Sequence, residues 1–355
     1  MKRIVLTGGG TAGHVTPNIA LFPALREHNY DIYYVGSYDG IEKSLVEDYG
    51  ICYHGISSGK LRRYFSWKNF TDPFRVIKGF FEAKRLIKEI KPDVVFSKGG
   101  FVSVPVVIAA GRAKVPVIIH ESDMTPGLAN KLSFSSAVKI CCNFPETINN
   151  LPKGKAVLTG CPIREELKAG DAVKAAKLCG FEDEKPVLMV VGGSLGAANV
   201  NKAVRAILPQ LLQEFNVVHL CGKGKADESL NSLKGYFQME YAKDEMKDLF
   251  ALSDIIVSRA GANAICEILA LKKPNLLIPL PASASRGDQI LNAASFERQG
   301  FSMVLDEDTN LTEDSLLETI RALYRDRQKY IDNMSQSDQS DAVNTVIRLI
   351  DEQVK

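Results

Sequence analysis

Two glycine-rich loops, each placed directly after a short apolar strand, constrain the fold of this chain more than any other feature. Residues 4–7 run into glycines within 8–13, and residues 187–191 run into glycines within 192–196. Glycine lets a ligand approach backbone N–H groups, and the start of the helix that follows favours anions. One such loop is ordinary turn chemistry. Two of them, 184 positions apart, predict two similar halves that handle one anionic ligand such as a nucleotide.

The pattern of elements predicts an α/β fold with two doubly wound parallel sheets. A chain of 355 residues suits two domains of about 150–180 residues each. Strands and helices alternate throughout, with helices expected at 80–91 and 198–213 among others. We predict a first domain over 1–160, a second over 161–340, and a final helix within 341–355 that packs back on the body, with 160–164 as the connection.

Several classes of protein are disfavoured by composition. The apolar runs are far shorter than a bilayer-spanning segment, and no export signal follows residues 1–3, so we expect a cytoplasmic protein. Seven cysteines and five histidines lack ligand spacing. We therefore expect neither a metal site nor a disulfide framework, and no cofactor.

Charge is divided unevenly between the halves. Residues 1–160 carry 21 Lys/Arg against 13 Asp/Glu, whereas residues 161–355 carry 23 against 29. Basic residues and aromatics mix most densely over 60–85, where three interpretations compete. The segment is a helical hairpin with core aromatics, a nucleic-acid surface, or a patch on an anionic membrane. No nucleic-acid module supports the second, and we favour the membrane, with the contacts assigned to Arg62, Arg63, Trp67 and Phe70.

A second pair of matching segments follows two further strands. Ser97, Lys98 and two glycines end one strand, and residues 258–261 end its counterpart in the second half. Open α/β sheets bind ligands at the carboxyl edges of their strands. The ligand is therefore expected in the cleft between two such edges.

Nucleotide enzymes of other kinds fit less well. Residues 8–13 satisfy the glycine spacing of a dinucleotide fingerprint, but the second strand has no carboxylate at its tip, and Asp39 comes late. No GKS or GKT sequence occurs. Neither hydride transfer nor ATP hydrolysis is favoured.

Seven motifs together resemble one family. They are GGGTAGHVTP at 8–17, GGFVS at 99–103, HESD at 120–123, PIR at 162–164, GGSLG at 192–196, SRAG at 258–261 with Glu267, and DQ at 288–289. This set is similar to the MurG family of peptidoglycan glycosyltransferases. The resemblance implies a GT-B architecture, with an acceptor and membrane-side domain followed by a UDP-GlcNAc-binding domain. It implies inverting transfer of N-acetylglucosamine from UDP-GlcNAc to lipid I, giving lipid II in cell-wall synthesis at the cytoplasmic face of the membrane.

The resemblance also implies roles for individual residues. His14 is the candidate general base, because its ordinary pKa suits proton abstraction near neutral pH, with Glu121 and Asp123 as rivals. Glu267 would take the ribose hydroxyls and Gln289 would read the sugar. The remaining donor contacts would come from Thr11, Ala12, Gly13, Arg164, Ser194, Ala262, Asn263, Ala264 and Ile265. The acceptor side would comprise Gly99, Gly100, Phe101 and Asn130.

Two departures and two alternatives remain. Many relatives have HEQN where this chain has HESD, and many have two glutamines where it has Asp288 and Gln289, so only Gln289 inherits the sugar contact. Asp306–Asp308 formally fits a DxD metal motif, but we expect a solvated turn there. The alternatives are a GT-B lipid glycosyltransferase that uses UDP-Glc or UDP-Gal on diacylglycerol, and a non-catalytic nucleotide-sugar-binding or membrane-scaffold protein.

Overall fold

Two compact units make up the fold. The computed structural model describes residues 1–59, 68–193, 196–284 and 287–354, and for 68–73, 338 and 340 it describes the backbone alone. Unit 1 comprises Met1–Arg164 together with Asp341–Lys355, and unit 2 comprises Glu165–Ser340. Unit 1 therefore extends past the boundary expected at 160. Thr159 and Gly160 both donate backbone hydrogen bonds to Cys142 O, which ties this stretch to the first sheet.

Unit 1 is built on a seven-stranded sheet in which every pairing is parallel. Its spatial order is β3-β2-β1-β4-β5-β6-β7. Both faces are covered, so the central strands are apolar along their length rather than alternating. The strands are β1 Lys2–Thr7, β2 Tyr30–Ser37, β3 Cys52–Ile56, β4 Val94–Ser97, β5 Val117–Glu121, β6 Lys139–Cys142 and β7 Ala156–Leu158.

Six α-helices connect these strands. They are α1 Thr16–Ile19, α2 Phe22–Glu27, α3 Ile41–Glu47, α4 Lys68–Ile90, α5 Ser103–Arg112 and α6 Leu128–Ser133. The helix predicted at 80–91 is the second half of the longer α4. Its buried residues are Ala83, Ile87 and Ile90, which share one face at helical spacing. That face belongs to one apolar cluster with Val5 and Val95 of the sheet and Val106 of α5.

Unit 2 repeats the design with six parallel strands in the order β10-β9-β8-β11-β12-β13. The strands are β8 Val187–Val191, β9 Asn216–Leu220, β10 Tyr236–Met239, β11 Ile255–Ser258, β12 Asn275–Leu277 and β13 Ser302–Val304. The helices are α7 Ala172–Cys179, α8 Ala198–Ala206, α9 Leu208–Glu214, α10 Met246–Leu252, α11 Ala262–Ala270, α12 Asp288–Arg298, α13 Glu313–Arg325 and α14 Arg327–Ser335. The predicted fold class, with two doubly wound parallel sheets, is confirmed.

The helix predicted over 198–213 is wrong as a single element. It ends at Ala206, and α9 begins at Leu208 with Pro209 in its first turn. Proline has no N–H and clashes with the preceding turn, whereas the first turn of a new helix tolerates it. The pattern of apolar residues continues across both helices, which is why periodicity alone suggested one.

The last helix, α15 Ala342–Asp351, packs on unit 1. Its apolar face contributes Val346, Ile347 and Ile350 to a cluster that also contains residues of β1 and β2. At its end, the Asp351 carboxylate accepts hydrogen bonds from Tyr30 and Lys2. The sequence did not decide which half this helix would cover.

Candidate functional site

The motif-bearing loops lie where the strand order of each sheet reverses. In unit 1, β1 pairs with β4 so that Thr7 lies opposite Ser97. In unit 2, β8 pairs with β11 so that Val191 lies opposite Ser258. The glycine loop and the second motif of each unit are therefore neighbours at the carboxyl edge of the sheet, where such folds bind ligands.

The first glycine loop is held from both ends by side chains of neighbouring elements. The Tyr34 hydroxyl donates to Gly8 O at 2.8 Å, and the Glu42 carboxylate accepts from Gly10 N at 3.1 Å. Beyond the loop, a short 3-10 helix spans Ala12–His14. Thr11 and Ala12 are exposed and Gly13 is half-buried, so this turn presents backbone to solvent.

His14 lies half-buried at the end of this 3-10 turn. Burial is the main cause that lowers its pKa from 6.5 to about 4; the charge of Lys98 adds to the effect, and contact with the Lys98 backbone opposes it. Its Nδ1 is buried without a hydrogen-bond partner among the described residues. The imidazole is thus neutral at physiological pH, and its lowered pKa makes it a weaker base than an exposed histidine.

A buried lysine near this loop was not given a role by the sequence. Lys98 is 1% exposed, and its Nζ lies 2.8 Å from His120 Nδ1 and donates to Ser122 Oγ. No carboxylate in the described part of the chain pairs with this ammonium group. The only sequence signal was its position, directly after a buried strand and before two glycines.

The HESD segment has mostly structural contacts. Glu121 is 4% exposed, and its carboxylate accepts from Asp123 N at 2.9 Å, Gly127 N at 3.0 Å and Asn130 Nδ2 at 2.9 Å. A carboxylate filled by three donors anchors its loop, which argues against Glu121 as the base. Asp123 is half-buried, and its backbone is fixed by Glu121.

The acceptor-side residues predicted from the sequence form one turn. Gly99 and Gly100 have φ of +90° and +86°, which side chains adopt rarely. A side chain at Gly100 would also collide with Gly9 O, so the two glycine loops of unit 1 pack against each other. Phe101 is half-buried, and the buried Asn130 keeps its Oδ1 without a partner among the described residues.

In unit 2 the second glycine loop leads to helix starts, as predicted. Gly193 and Gly196 have φ of +83° and +68°; Ser194 lies outside the described residues.

Helix α11 begins at Ala262 after Gly261, which has no capping side chain. Its first-turn N–H groups are outside the helical ladder, but Ile265 N donates to Gly261 O at 3.1 Å. The prediction that Ile265 offers a backbone donor is therefore wrong, and its side chain is fully buried.

The predicted sugar and ribose contacts lie on two helices of the same unit. Glu267 is half-buried on α11, in the same turn as Asn263 and Ala264, which are also half-buried. Gln289 opens α12, and its Oε1 accepts from Leu280 N at 3.0 Å, so this amide is already oriented by the chain. Arg164 ends unit 1, and its buried Nε has no partner in the described residues.

In the DxD-like turn Asp308 is exposed and Asp306 is half-buried, but Glu307 between them is not solvated as expected. The Glu307 side chain is 6% exposed and forms an ion pair with Arg259, and it accepts from Asn199 Nδ2 at 2.6 Å. Arg259 also donates to the carbonyls of Ile278 and Pro279, both at 3.0 Å. Arg259 thus joins the end of β11 to the end of β12, and Glu307 holds Arg259 in place. Within the described ranges, no three His, Cys, Asp or Glu side chains converge as a metal site would require.

Sequence comparisons identify close relatives. The glycosyltransferase family 28 N-terminal domain matches residues 4–141, and the corresponding C-terminal domain matches 187–349. A protein of Lachnospira eligens is 65% identical over the full length of both chains, and one of Lachnoclostridium phytofermentans is 62% identical over 99% of each. Both are named UDP-N-acetylglucosamine–N-acetylmuramyl-(pentapeptide) pyrophosphoryl-undecaprenol N-acetylglucosamine transferase.

Solved structures agree on the architecture. MurG of Acinetobacter baumannii superposes with a TM-score of 0.76 at 26% identity, covering 99% of this chain and 100% of the other. The UDP-GlcNAc 2-epimerase of Neisseria meningitidis gives 0.70 at 14% identity, covering 99% and 100%. At that identity the epimerase is evidence for the fold alone.

Proposed function

Because this chain belongs to glycosyltransferase family 28, we propose that it transfers N-acetylglucosamine from UDP-GlcNAc to undecaprenyl-diphospho-N-acetylmuramoyl-pentapeptide (lipid I), forming lipid II. The full-length relative at 65% identity, with that transfer in its name, carries this conclusion. The match extends over the full length of both chains and so covers both units. The activity is an inverting hexosyl transfer in peptidoglycan synthesis.

The chemistry needs one base and a way to stabilise the leaving group. An α-linked donor gives a β-linked product, so the acceptor 4-hydroxyl attacks the anomeric carbon directly and loses its proton. We assign that proton to His14, which is held neutral by burial. The departing UDP diphosphate would be stabilised by backbone N–H groups at the start of α11, which act as preorganised donors.

We place the donor in unit 2. The Glu267 carboxylate would accept hydrogen bonds from the ribose hydroxyls one turn into α11. The Gln289 amide would contact the sugar, since its oxygen is oriented by Leu280 N and its amino group points away from that bond. Arg164 would contribute the nucleotide contact through its unpartnered Nε.

We place the acceptor in unit 1, beside the paired loops 8–14 and 98–101. The turn at Gly99 and Gly100 exposes backbone, and the buried ammonium group of Lys98 makes the potential beneath it positive. A diphosphate-linked acceptor is an anion, so such an edge suits it. Asn130 offers an unpartnered carbonyl oxygen beneath the same turn.

Docking on an anionic membrane would bring the acceptor within reach, and α4 supports it. Phe74, Ile77 and Phe81 are 74%, 56% and 61% exposed, and they share one stripe at i, i+3 and i+7. Arg75, Lys78, Lys84 and Arg85 are exposed on the same helix. Exposed aromatics beside cations are typical of surfaces that bind the headgroup region. In the described residues, no helix has the length and apolarity of a membrane span.

This membrane patch extends the one expected from sequence. Arg62, Arg63 and Trp67 lie outside the described residues, as does the side chain of Phe70. Phe80 lies under the Arg112 guanidinium, 4.8 Å from its ring centre, and is half-buried. The aromatics of α4 therefore divide between packing and exposure, which favours a docking face over a helical hairpin with all of them in the core.

A transfer assay with labelled donors tests the proposal. UDP-GlcNAc with lipid I is offered beside UDP-Glc and UDP-Gal with diacylglycerol, and label should enter only the lipid I product. His14→Ala should lower turnover by roughly 10²–10⁴-fold, the usual contribution of a general base. Turnover that survives His14→Ala but is abolished by Asp123→Asn would move the base to the HESD segment. Transfer to diacylglycerol would contradict the acceptor.

A further inference from the structure

The carboxylate of Glu42 lies beneath the first glycine loop, and its side chain is fully buried. Oε2 accepts from Gly10 N at 3.1 Å. Oε1 accepts from Ser37 N at 2.9 Å and from the Ser37 hydroxyl at 2.5 Å. Three donors from two elements converge on one side chain, so the loop and the end of β2 are joined through Glu42.

Three glycines make room for this carboxylate. A Cβ atom at Gly9 would lie 2.5 Å from the Glu42 carboxyl carbon, and one at Gly36 would lie 2.7 Å from its Cγ. A Cβ atom at Gly40 would collide with Oε1. Distances this short are not tolerated between real atoms. A residue larger than glycine at position 9, 36 or 40 would thus overlap the Glu42 side chain.

The charge of Glu42 has no cation to balance it. No Lys, Arg or His among the described residues forms an ion pair with this carboxylate, and its bonds are all to donors of Gly10 and Ser37. Burying a charge is costly unless hydrogen bonds compensate it. The three hydrogen bonds offset part of this cost, and an apolar residue in place of Glu42 would leave the donors of Gly10 and Ser37 unpaired.

We propose that Glu42 is a positioning residue for the transfer reaction, which sets the place of His14 by anchoring Gly10. The inference rests on the proposed role of His14 as the base. Gly10 is four residues before His14, and the intervening turn is closed by His14 N donating to Thr11 O at 3.1 Å. With Gly8 held by Tyr34 and Gly10 held by Glu42, the path of the chain into that turn is fixed at two points.

The position of Glu42 also explains why the dinucleotide fingerprint is misleading here. In dinucleotide-binding folds a carboxylate after the second strand faces the ribose of the ligand. Here the carboxylate comes from the first turn of α3 instead and accepts hydrogen bonds from backbone N–H groups of the chain itself. Gly10 N is thereby bonded to Glu42, which fixes the loop shortly before His14.

The test is Glu42→Gln, which keeps the shape of the side chain but turns one hydrogen-bond acceptor into a donor facing donors. We expect kcat to fall by about 10- to 100-fold, because misplacing a catalytic group by about 1 Å has an effect of this size. The KM for UDP-GlcNAc and the affinity for UDP, whose proposed ribose and sugar contacts lie on α11 and α12, should stay within about twofold. Glu47→Gln, at an exposed glutamate on the same helix, is the matched control and should leave kcat unchanged.

A double-mutant cycle with His14→Ala separates positioning from general support of the fold. If Glu42 acts through His14, Glu42→Gln should cost nothing further once His14 is removed. An equal loss in both backgrounds, or an unchanged kcat in the single variant, would overturn the inference. A silent His14→Ala would refute the base itself. If Glu42→Gln fails to bind UDP or melts at a lower temperature, Ser37→Ala replaces it in the same cycle, because it removes one donor and leaves the Glu42 carboxylate in place. Losses of kcat that add in Ser37→Ala and His14→Ala would overturn the inference equally.

Discussion

Lys98 Nζ lies 2.8 Å from His120 Nδ1, and both side chains are buried at the carboxyl edge of the first sheet. His120 Nε2 lies 2.8 Å from Gly160 O, and a carbonyl can only accept, so Nε2 carries the proton and Nδ1 accepts from the lysine. Burial and the Lys98 charge keep the pKa of His120 well below its ordinary value. A neutral histidine thus orients an ammonium group that has no carboxylate partner in the described residues.

Removing this charge should change the titration of His14. In Lys98→Met the pKa of His14 should rise from about 4, because a nearby positive charge no longer opposes protonation. It should remain below 6.5, since burial is the larger cause and persists. NMR titration of the His14 ring measures it, with Lys84→Met, at an exposed position, as the control. An unmoved His14 pKa in the Lys98 variant would show that the charge is screened from the imidazole.

The backbone of this site was predictable, and its buried charges were not. Glycine after an apolar strand indicates a local turn, so residues 8–13 and 192–196 could be placed at strand ends from the sequence. Whether a charged side chain is buried depends on partners distant along the chain. Glu42 meets Gly10 across 32 positions, and Glu307 meets Asn199 across 108. Both carboxylates occur in stretches that read as exposed turn or helix.

The same limit applies to the general base and its rivals. The ordinary pKa of histidine ranked His14 above Glu121, but residue type could not show which side chain is already engaged by hydrogen bonds. The hydrogen bonds support this ranking. The Glu121 carboxylate accepts from Asp123 N, Gly127 N and Asn130 Nδ2, whereas His14 Nδ1 has no partner in the described residues. Such bonds depend on how the 121–130 turn folds, which no periodicity encodes.

Glu267→Ala should weaken UDP-GlcNAc binding at least tenfold. The proposed ribose contact is a charge-assisted hydrogen bond, which contributes on the order of 1.5–3 kcal/mol. Isothermal calorimetry with UDP measures the loss directly. Glu297→Ala, at an exposed glutamate on α12 of the same unit, should bind as the native protein does. Native affinity in a folded Glu267 variant would remove the ribose assignment.

The contacts of Asp351 should make the docking of α15 sensitive to acid. Burial alone would raise the pKa of this carboxyl, but hydrogen bonds from Tyr30, His28 and Lys2 outweigh it, and the pKa is lowered. A lowered carboxyl pKa stabilises the fold above the unfolded value of about 3.9, and the stabilisation is lost as pH falls through the folded pKa. Asp351→Asn should therefore lower the Tm at pH 7 by an amount that disappears as the pH falls through the lowered pKa of Asp351.

The size of that effect is limited because the side chain is 29% exposed. Partly exposed ion pairs contribute about 1 kcal/mol or less. Calorimetric melting of both proteins across pH gives the comparison. Asp341→Asn, at the other end of α15, is a control without a tertiary ion pair among the described residues. A Tm difference for Asp351→Asn that persists in acid would mean that the carboxylate charge is not what holds the helix.

The membrane patch of α4 should account for docking on anionic vesicles. Phe74, Ile77 and Phe81 together expose large apolar area to water, which insertion at headgroup depth would bury, while each nearby Lys or Arg adds about 1 kcal/mol. Replacing these three by serine should release the protein from vesicles of anionic lipid in co-sedimentation, and activity on a water-soluble, short-chain acceptor should survive. Val173→Ser, at a position 79% exposed in unit 2, is the matched control and should not change binding.

Two results would separate the described patch from the rest of the basic segment. Replacing Arg62, Arg63, Trp67 and Phe70 by serine should release the protein as well if docking uses the whole stretch. If only this second set releases it, the apolar stripe of α4 is incidental and contact lies with the segment before the helix. Native sedimentation of both variants would place docking on another surface. Binding that persists at about 1 M salt after the serine substitutions on α4 would contradict an electrostatic share, because the Debye length there is only about 3 Å.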